Sequence, residues 1–280
     1  MDADVARVGD DALFDLELRR LLEAVMLRYR YDFRDYALSS MRRRVRLAME
    51  HFGCASLVQL QDRVLREPGF FTRMLQYFTV HVSEMFRDPG YFEALREQAL
   101  PMLASCPSPK VWVAGCSTGE EAWSMAILLA EEGLLERTVV YATDIDPAAL
   151  RHAANGVYAL ERIAQFSRNY LAAGGRGSLS DHYRAGCEEA VFSRHLKARM
   201  VFANHSLATD SAFSEVQLVS CRNVLIYFDR PLQDRAIGMF REALADRGFL
   251  GVGARETLRF GANAHAFEPV AGRQRLYRKR

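Results

Sequence analysis

No CxxC pair occurs anywhere in these 280 residues, and the five cysteines (Cys54, Cys106, Cys116, Cys187 and Cys221) are odd in number and scattered. That pattern argues against a disulfide framework or a zinc site and for free thiols in a reducing cytosol, so no metal is expected. No apolar run approaches membrane-spanning length, and the opening MDADVARVGDD is acidic without an apolar core. The expectation is a cytoplasmic chain with no signal peptide and no direct membrane insertion. A strong excess of one charge is also missing. The net charge is +2 with 26% charged residues, so no global field marks a nucleic-acid binder. No internal repeat is present. Half the residues are apolar, enough for one large domain or two modest ones.

What is present centres on Lys110 to Ala130, KVWVAGCSTGEEAWSMAILLA. Val111, Trp112 and Val113 suit a buried parallel strand. The chain then breaks at Gly115 and Gly119, and Met125, Ala126, Leu128 and Leu129 form an apolar stripe at helical spacing. Strand, glycine turn and helix in that order open a doubly wound sheet, whose ligands sit over the strand ends against a helix N-terminus. The G-x-x-x-G spacing departs from the dinucleotide fingerprint G-x-G-x-x-G. Glu120 and Glu121 stand where a pyrophosphate would have to lie, so the expected ligand carries a cationic end and no phosphate. S-adenosylmethionine, with its ammonium and sulfonium, meets that description. Val139 to Ala142 reads as the next strand, ending at Asp144, an acid placed to accept hydrogen bonds from both ribose hydroxyls of an adenosine. Asp146 before Pro147 reads instead as a helix N-cap with proline at the first position.

Ahead of this core the pattern is all helical. Apolar spacing gives helices from Leu13 to Tyr29, from Met41 capped by Ser39 or Ser40 and stopped at Gly53, from Leu57 capped by Ser56, and from Phe71 to about Thr79. The expected division is a helical domain over 1–80 and an α/β domain over 81–280. A small β subdomain is expected at about 170–203, with Ala172 to Ser178 the most flexible-looking stretch. Val216 to Ser220 reads as a further core strand delivering Cys221, Arg222 and Asn223 to the ligand edge. Gly248 to Gly253 is another, and a hairpin over Phe267–Val270 and Arg275–Tyr277 closes the chain. The second helix carries Arg42, Arg43, Arg44 and Arg46, which is either a solvated face or a docking surface for an acidic partner.

The motifs GCSTGEEAWS, ATDID and CRNVLIYFD, behind a helical segment ending in SEMFRD, together resemble the chemotaxis receptor glutamate methyltransferases, the CheR-type family. The resemblance covers nearly the whole chain. It implies a class I S-adenosylmethionine-dependent methyltransferase fold, α/β with a doubly wound, mostly parallel sheet, an N-terminal all-α domain and a small β insert. It implies glutamyl methyl ester formation on acidic methyl-accepting chemoreceptor helices, with S-adenosyl-L-homocysteine as product and a monomeric enzyme. Carried over by position, the cofactor residues are His81, Ser83, Arg87, Glu121, Asp144, Ser206, Leu207, Cys221, Arg222 and Asn223, with Ser206 and Leu207 beside the adenine. His81 and Ser206 each stand where the family typically has asparagine, and Ser83 where it has threonine.

The resemblance places Arg87 and Tyr227 at the methyl group, where, with Arg222 nearby, they are expected to orient the substrate carboxylate. Arg42, Arg43 and Arg46 are expected to dock the acidic helix. A glutamate, with a reference pKa of about 4.3, is already ionised at neutral pH, so no general base is needed. The alternative is a non-catalytic module that binds the cofactor in a signalling pathway. A nucleic-acid methyltransferase is disfavoured, because neither an Asn/Asp-Pro-Pro-aromatic motif nor a Pro-Cys pair occurs.

Overall fold

The computed structural model describes residues 2–259 and 261–280, side chains of residues 2–10 excepted. Its contacts divide the chain into two compact units, Met1–Val80 with Tyr227–Leu232, and His81–Ile226 with Gln233–Arg280.

The first unit is built from α1 (Asp2–Tyr29), α2 (Leu38–Phe52), α3 (Leu57–Arg66) and α4 (Phe70–Phe78). Leu18, Leu21, Leu22 and Val25 form the buried stripe of α1, which packs on α3 with its buried Leu57, Leu60 and Val64, while α2, buried through Met41, Val45 and Ala48, packs on α4. Ser56 caps α3 as expected, its side chain accepting the Gln59 N–H at 3.2 Å. The start of α2 differs from expectation. The helix begins at Leu38 with Ala37 in the cap position and no side-chain cap, so neither Ser39 nor Ser40 plays that role. The Ala37 N–H donates to the Tyr227 carbonyl at 2.9 Å, and this non-local bond sets the entry to the helix. Arg44 is buried inside the unit, donating to the Phe78 carbonyl and lying 4.4 Å from the Tyr227 ring centroid. Burial pulls its pKa below the ordinary arginine value.

Among its described residues the second unit contains ten strands: β1 (Lys110–Ala114), β2 (Val139–Asp144), β3 (Val157–Ala159), β4 (Tyr183–Ala185), β5 (Glu189–Phe192), β6 (Met200–Asn204), β7 (Val216–Cys221), β8 (Leu244–Val252), β9 (Phe267–Ala271) and β10 (Leu276–Lys279). Seven of them form one sheet in the order β6-β2-β1-β7-β8-β10-β9. The first five run parallel, and β10 pairs antiparallel with both β8 and β9 as the closing hairpin. This is the doubly wound, mostly parallel class I arrangement. Its helices are α5 (Pro89–Ala94), continuing through a π-turn at Leu95–Ala99 into α6 (Leu100–Ser105), then α7 (Glu120–Glu131), α8 (Pro147–Asn155), α9 (Leu160–Ala172), α10 (Arg194–Lys197) and α11 (Arg230–Ala243). Among the described residues, no helix is long and apolar enough to cross a membrane.

The small antiparallel sheet, order β3-β5-β4, departs from the expected limits at both ends. Its first strand comes from Val157–Ala159, before α9, and Met200–Asn204 returns to the main sheet beside β2. Three residues are too few to show alternation, and β6 is an edge strand with most of its side chains partly or fully exposed. The glycine-rich stretch after α9 is tethered. The Gly177 N–H donates to Tyr170 Oη at 3.1 Å, and Arg176 reaches Glu131 through its N–H and Glu132 through its guanidinium. Arg96 forks onto Glu131 and Glu132 from the π-turn, and Tyr170 donates to Glu131. Burial raises the Glu131 pKa, but the hydrogen bonds from Tyr170 and Arg96 outweigh it and hold the carboxyl below its usual range. Its contribution to stability is therefore present above the unfolded-state pKa and lost as pH falls through the folded one. Replacing Arg96 by Met leaves Glu131 without its main cation. The expected loss is about 2 kcal/mol, less than for a fully buried pair because water reaches Glu132. Urea unfolding at neutral pH measures it, and the difference between the two proteins should shrink as Glu131 is protonated.

Candidate functional site

Parallel register sets the strand ends side by side. Ala114 pairs with Thr143, Val113 with Ser220, Asp144 with Asn204 and Cys221 with Val252. One edge of the sheet thus collects the glycine turn, Asp144, the loop after β6 and the Cys221-Arg222-Asn223 segment. The turn itself needs its glycines. Gly115 has φ +72°, and a Cβ there would lie 2.4 Å from Val224 Cγ2; Gly119 has φ +95°, and its Cβ would lie 2.7 Å from Ala153 Cβ. The N–H groups of Gly115 and Cys116 both donate to the Thr143 carbonyl, at 2.8 and 2.9 Å, drawing the turn over the end of β2.

The turn so placed delivers the Ser117 N–H to Asp144 Oδ2 at 2.7 Å, while the Asp146 N–H reaches Asp144 Oδ1 at 2.9 Å. Each oxygen of Asp144 has one lone pair fixed by backbone and one left over. Burial pushes its pKa up against the pull of those two amides.

The two neighbouring acids turn apart. Glu120 is wholly buried, accepts from Thr118 Oγ1 at 2.7 Å and lies 2.8 Å from Arg162 Nη1. Only Glu121, with 14% of its side chain exposed, is open to a ligand. The expectation that both carboxylates face the ligand is thereby corrected, because Glu120 finds its cation in α9, which lies outside the motif. Glu121 accepts from Ser220 Oγ at 2.6 Å and from Arg222 Nη1 at 3.0 Å. Arg222 also holds Asp88 Oδ2 at 2.7 Å and the Arg87 carbonyl at 2.9 Å, with its guanidinium 4.2 Å from the Tyr91 ring centroid. Tyr91 Oη and Ser220 Oγ are 2.8 Å apart, closing the cluster.

His81 Nε2 lies 3.1 Å from Oδ2 of Asp146, the N-cap of α8, whose other oxygen accepts from Ala148 at 2.7 Å. Ser83 gives its carbonyl to Arg162 at 2.5 Å, and the half-exposed Arg87 guanidinium meets the Val82 carbonyl at 3.2 Å. Ser206 accepts from the Ala208 N–H and donates its own N–H to Asp210, forming the turn that carries Leu207. Cys221 is buried, which raises its thiol pKa and keeps it neutral. Asn223 sits at φ +61°.

Tyr227 and the basic helix belong to the other unit. Arg42 pairs with Asp15, and Arg46 with Asp11 at 3.2 Å, while exposed Arg43 has no ion pair among the described residues. Asp88, Tyr91, Arg162, Ser220 and Glu256 were not singled out from the sequence. Apart from Gly253 beside Glu256, their partners across the site lie 30 to 134 residues away, so no local pattern reveals them.

An acidic, non-phosphate pocket edge with a fixed carboxylate at the end of β2 fits S-adenosylmethionine. Residues 81–276 match the model described as CheR methyltransferase, SAM binding domain, and residues 16–79 match CheR methyltransferase, all-alpha domain. The chain belongs to the CheR methyltransferase family. Its cofactor is S-adenosylmethionine. CheR relatives include a Pseudomonas putida protein provisionally named methyltransferase Cher3, 52% identical over 95% of this chain and 97% of that one. Chemotaxis protein methyltransferase 2 of Pseudomonas aeruginosa is 31% identical over 78% of this chain and 76% of its own. The chain also matches 27% of an uncharacterized 104.1 kDa Rhodobacter capsulatus protein at 30% identity. Among the described residues, no group of three His, Cys, Asp or Glu side chains could hold a metal ion.

The hydrogen bond to Asp146 holds the His81 pKa above the ordinary histidine value, against the opposing effect of burial. A raised histidine pKa contributes stability that is complete below the unfolded value and is lost as pH rises through the folded one. Imidazole titration by NMR should show an elevated His81 midpoint that drops in Asp146→Asn, a substitution that keeps the helix cap. An unshifted midpoint in the variant would mean that Asp146 does not hold the charge on His81.

Proposed function

We propose that this chain forms methyl esters on glutamate side chains of acidic chemoreceptor signalling helices, using S-adenosylmethionine and releasing S-adenosyl-L-homocysteine. What carries the reading is the pairing in one chain of the family's all-alpha and SAM-binding modules, shared with proteins named chemotaxis protein methyltransferases.

In this reading the free lone pairs of Asp144 accept both ribose hydroxyls. Glu121 faces the cofactor ammonium, and Ser206 and Leu207 border the adenine. His81, Ser83, Cys221 and Asn223 complete the walls. When bound, the cofactor supplies a methyl group on a sulfonium. A glutamate is ionised at neutral pH, with a reference pKa of about 4.3, so no residue has to remove a proton. The work left for the protein is alignment and exclusion of water, because the attacking carboxylate loses charge and a dry site favours that loss. Arg87 orients the substrate carboxylate by hydrogen bonding. A bidentate arginine clamp would hold the charged ground state more than the transition state. Arg222 is already engaged by Glu121 and Asp88, so its part is to position Glu121.

Of the three arginines expected to dock substrate, Arg42 and Arg46 are partly matched by Asp15 and Asp11, leaving Arg43 as the freest charge. Such a contact steers encounter more than it adds affinity, and salt screens it. Reversal by Arg43→Glu should raise the Michaelis constant for a glutamate-rich receptor fragment and reduce its salt sensitivity, with cofactor affinity unchanged. An unaltered Michaelis constant at low salt would make α2 a solvated face.

The deciding experiment incubates labelled cofactor with receptor cytoplasmic fragments and looks for a base-labile methyl ester. Tight S-adenosyl-L-homocysteine binding without ester formation would point instead to a cofactor-sensing module. For the site itself, Asp144→Ala should weaken S-adenosyl-L-homocysteine by ~1.5–3 kcal/mol, since the ribose hydroxyls lose an ionised acceptor. Calorimetry on the folded variant measures this, and unchanged affinity would remove Asp144 from the site.

A further inference from the structure

Glu256 lies in the turn after β8, 4% exposed, and no cation pairs with it among the described residues. Its carboxylate is occupied entirely by backbone. Oε2 accepts the N–H of Gly253 and that of Asn223 at 3.1 Å, and Oε1 accepts the N–H of Ile226 at 3.2 Å. The fit is close, because a Cβ on Gly253 would lie 2.8 Å from both Glu256 Oε2 and the Asn223 nitrogen. Burial pushes the Glu256 pKa up while these amides pull it down, so holding the charge here is unfavourable except for the three bonds it makes. Two of those bonds fall on the segment that leaves β7, where Asn223 is held at φ +61°, a conformation uncommon outside glycine. The same segment begins with Arg222, whose side chain reaches Glu121 and Asp88.

We propose that Glu256 is a positioning residue of the methyl-transfer site. Its carboxylate clamps the backbone from Asn223 to Ile226 and so sets where Arg222 and Asn223 stand at the strand-end edge. This rests on the reading that Arg222 and Asn223 belong to the cofactor site. Both oxygens of the carboxyl group accept here, whereas a glutamine has one acceptor oxygen and would set its NH2 against an N–H.

The test compares Glu256→Gln, Glu256→Asp, Asn223→Gly and the Glu256→Gln/Asn223→Gly pair, chosen because glycine tolerates the positive φ at 223. Calorimetry with S-adenosyl-L-homocysteine, thermal unfolding and amide exchange at Asn223 and Ile226 are measured for each. Glu256→Gln should weaken binding about tenfold, with faster exchange at both amides and a lowered melting temperature, because a buried donor is left unpaired. Glu256→Asp should restore part of the affinity. The double variant should bind no more weakly than Asn223→Gly, because Glu256 acts through that segment. Wild-type affinity in Glu256→Gln, with a lowered melting temperature, overturns the proposal and leaves a fold anchor. Should Glu256→Gln fail to fold, Glu256→Asp is judged by the same two outcomes. If Asn223→Gly binds as tightly as the wild type, the site reading is itself wrong and the proposal falls with it.

Discussion

Both oxygens of Asp144 accept a backbone N–H, one from the turn after β1 and one from the turn after β2. That double hold joins two strand ends through a single carboxylate and requires the β1 turn to fold back over β2. The Thr143 carbonyl makes this possible by taking the N–H groups of Gly115 and Cys116. A side chain at Gly115 or Gly119 would break the arrangement on steric grounds before any ligand is considered. The turn is thus shaped by backbone bonding, and the orientation of the acid follows from it.

Around this centre, buried carboxylates are matched by arginines from distant segments. Glu120 meets Arg162, Glu121 meets Arg222, which also reaches the exposed Asp88, and Glu131 meets Arg96. An unpaired charge at such depth would be driven to neutrality, so each pair lets an acid remain ionised where the chain has little water. The pairs differ in consequence. Arg162 also holds the Ser83 carbonyl, tying the segment that opens the α/β unit to α9, the helix between the first two strands of the small sheet. Arg222 stacks on Tyr91 while it orients Glu121, so packing and charge act on the same side chain. Asp144 and Glu256 differ, being buried acids whose hydrogen bonds among the described residues come from backbone amides, and Glu256 stands beside Asn223, one of the site residues at positive φ.

In the helical unit the same rule sorts a run of four arginines. Arg44 is inward, against Tyr227 and the Phe78 carbonyl, and Arg42 and Arg46 meet acids of α1. A run that reads as one basic patch therefore divides into a core residue, two matched surface charges and Arg43, which has no ion pair among the described residues. Helical spacing assigns these faces only once the neighbours of α2 are known.

Features governed by residues two to four apart were legible in the chain. The cap at Ser56, the cap and proline at Asp146 and Pro147, the strand–glycine–helix unit and the acid at the end of β2 all depend on short-range hydrogen bonding or periodicity. The ordered motifs were specific enough to indicate the family and its cofactor. What the sequence could not determine is which acid faces the ligand, where α2 begins, that Val157–Ala159 starts the small sheet, and that Tyr91 closes on Ser220 from 129 residues away. These depend on partners that only the folded path brings within hydrogen-bond distance. A carboxylate's direction is set by the nearest cation or amide in space, and sequence separation carries no record of that.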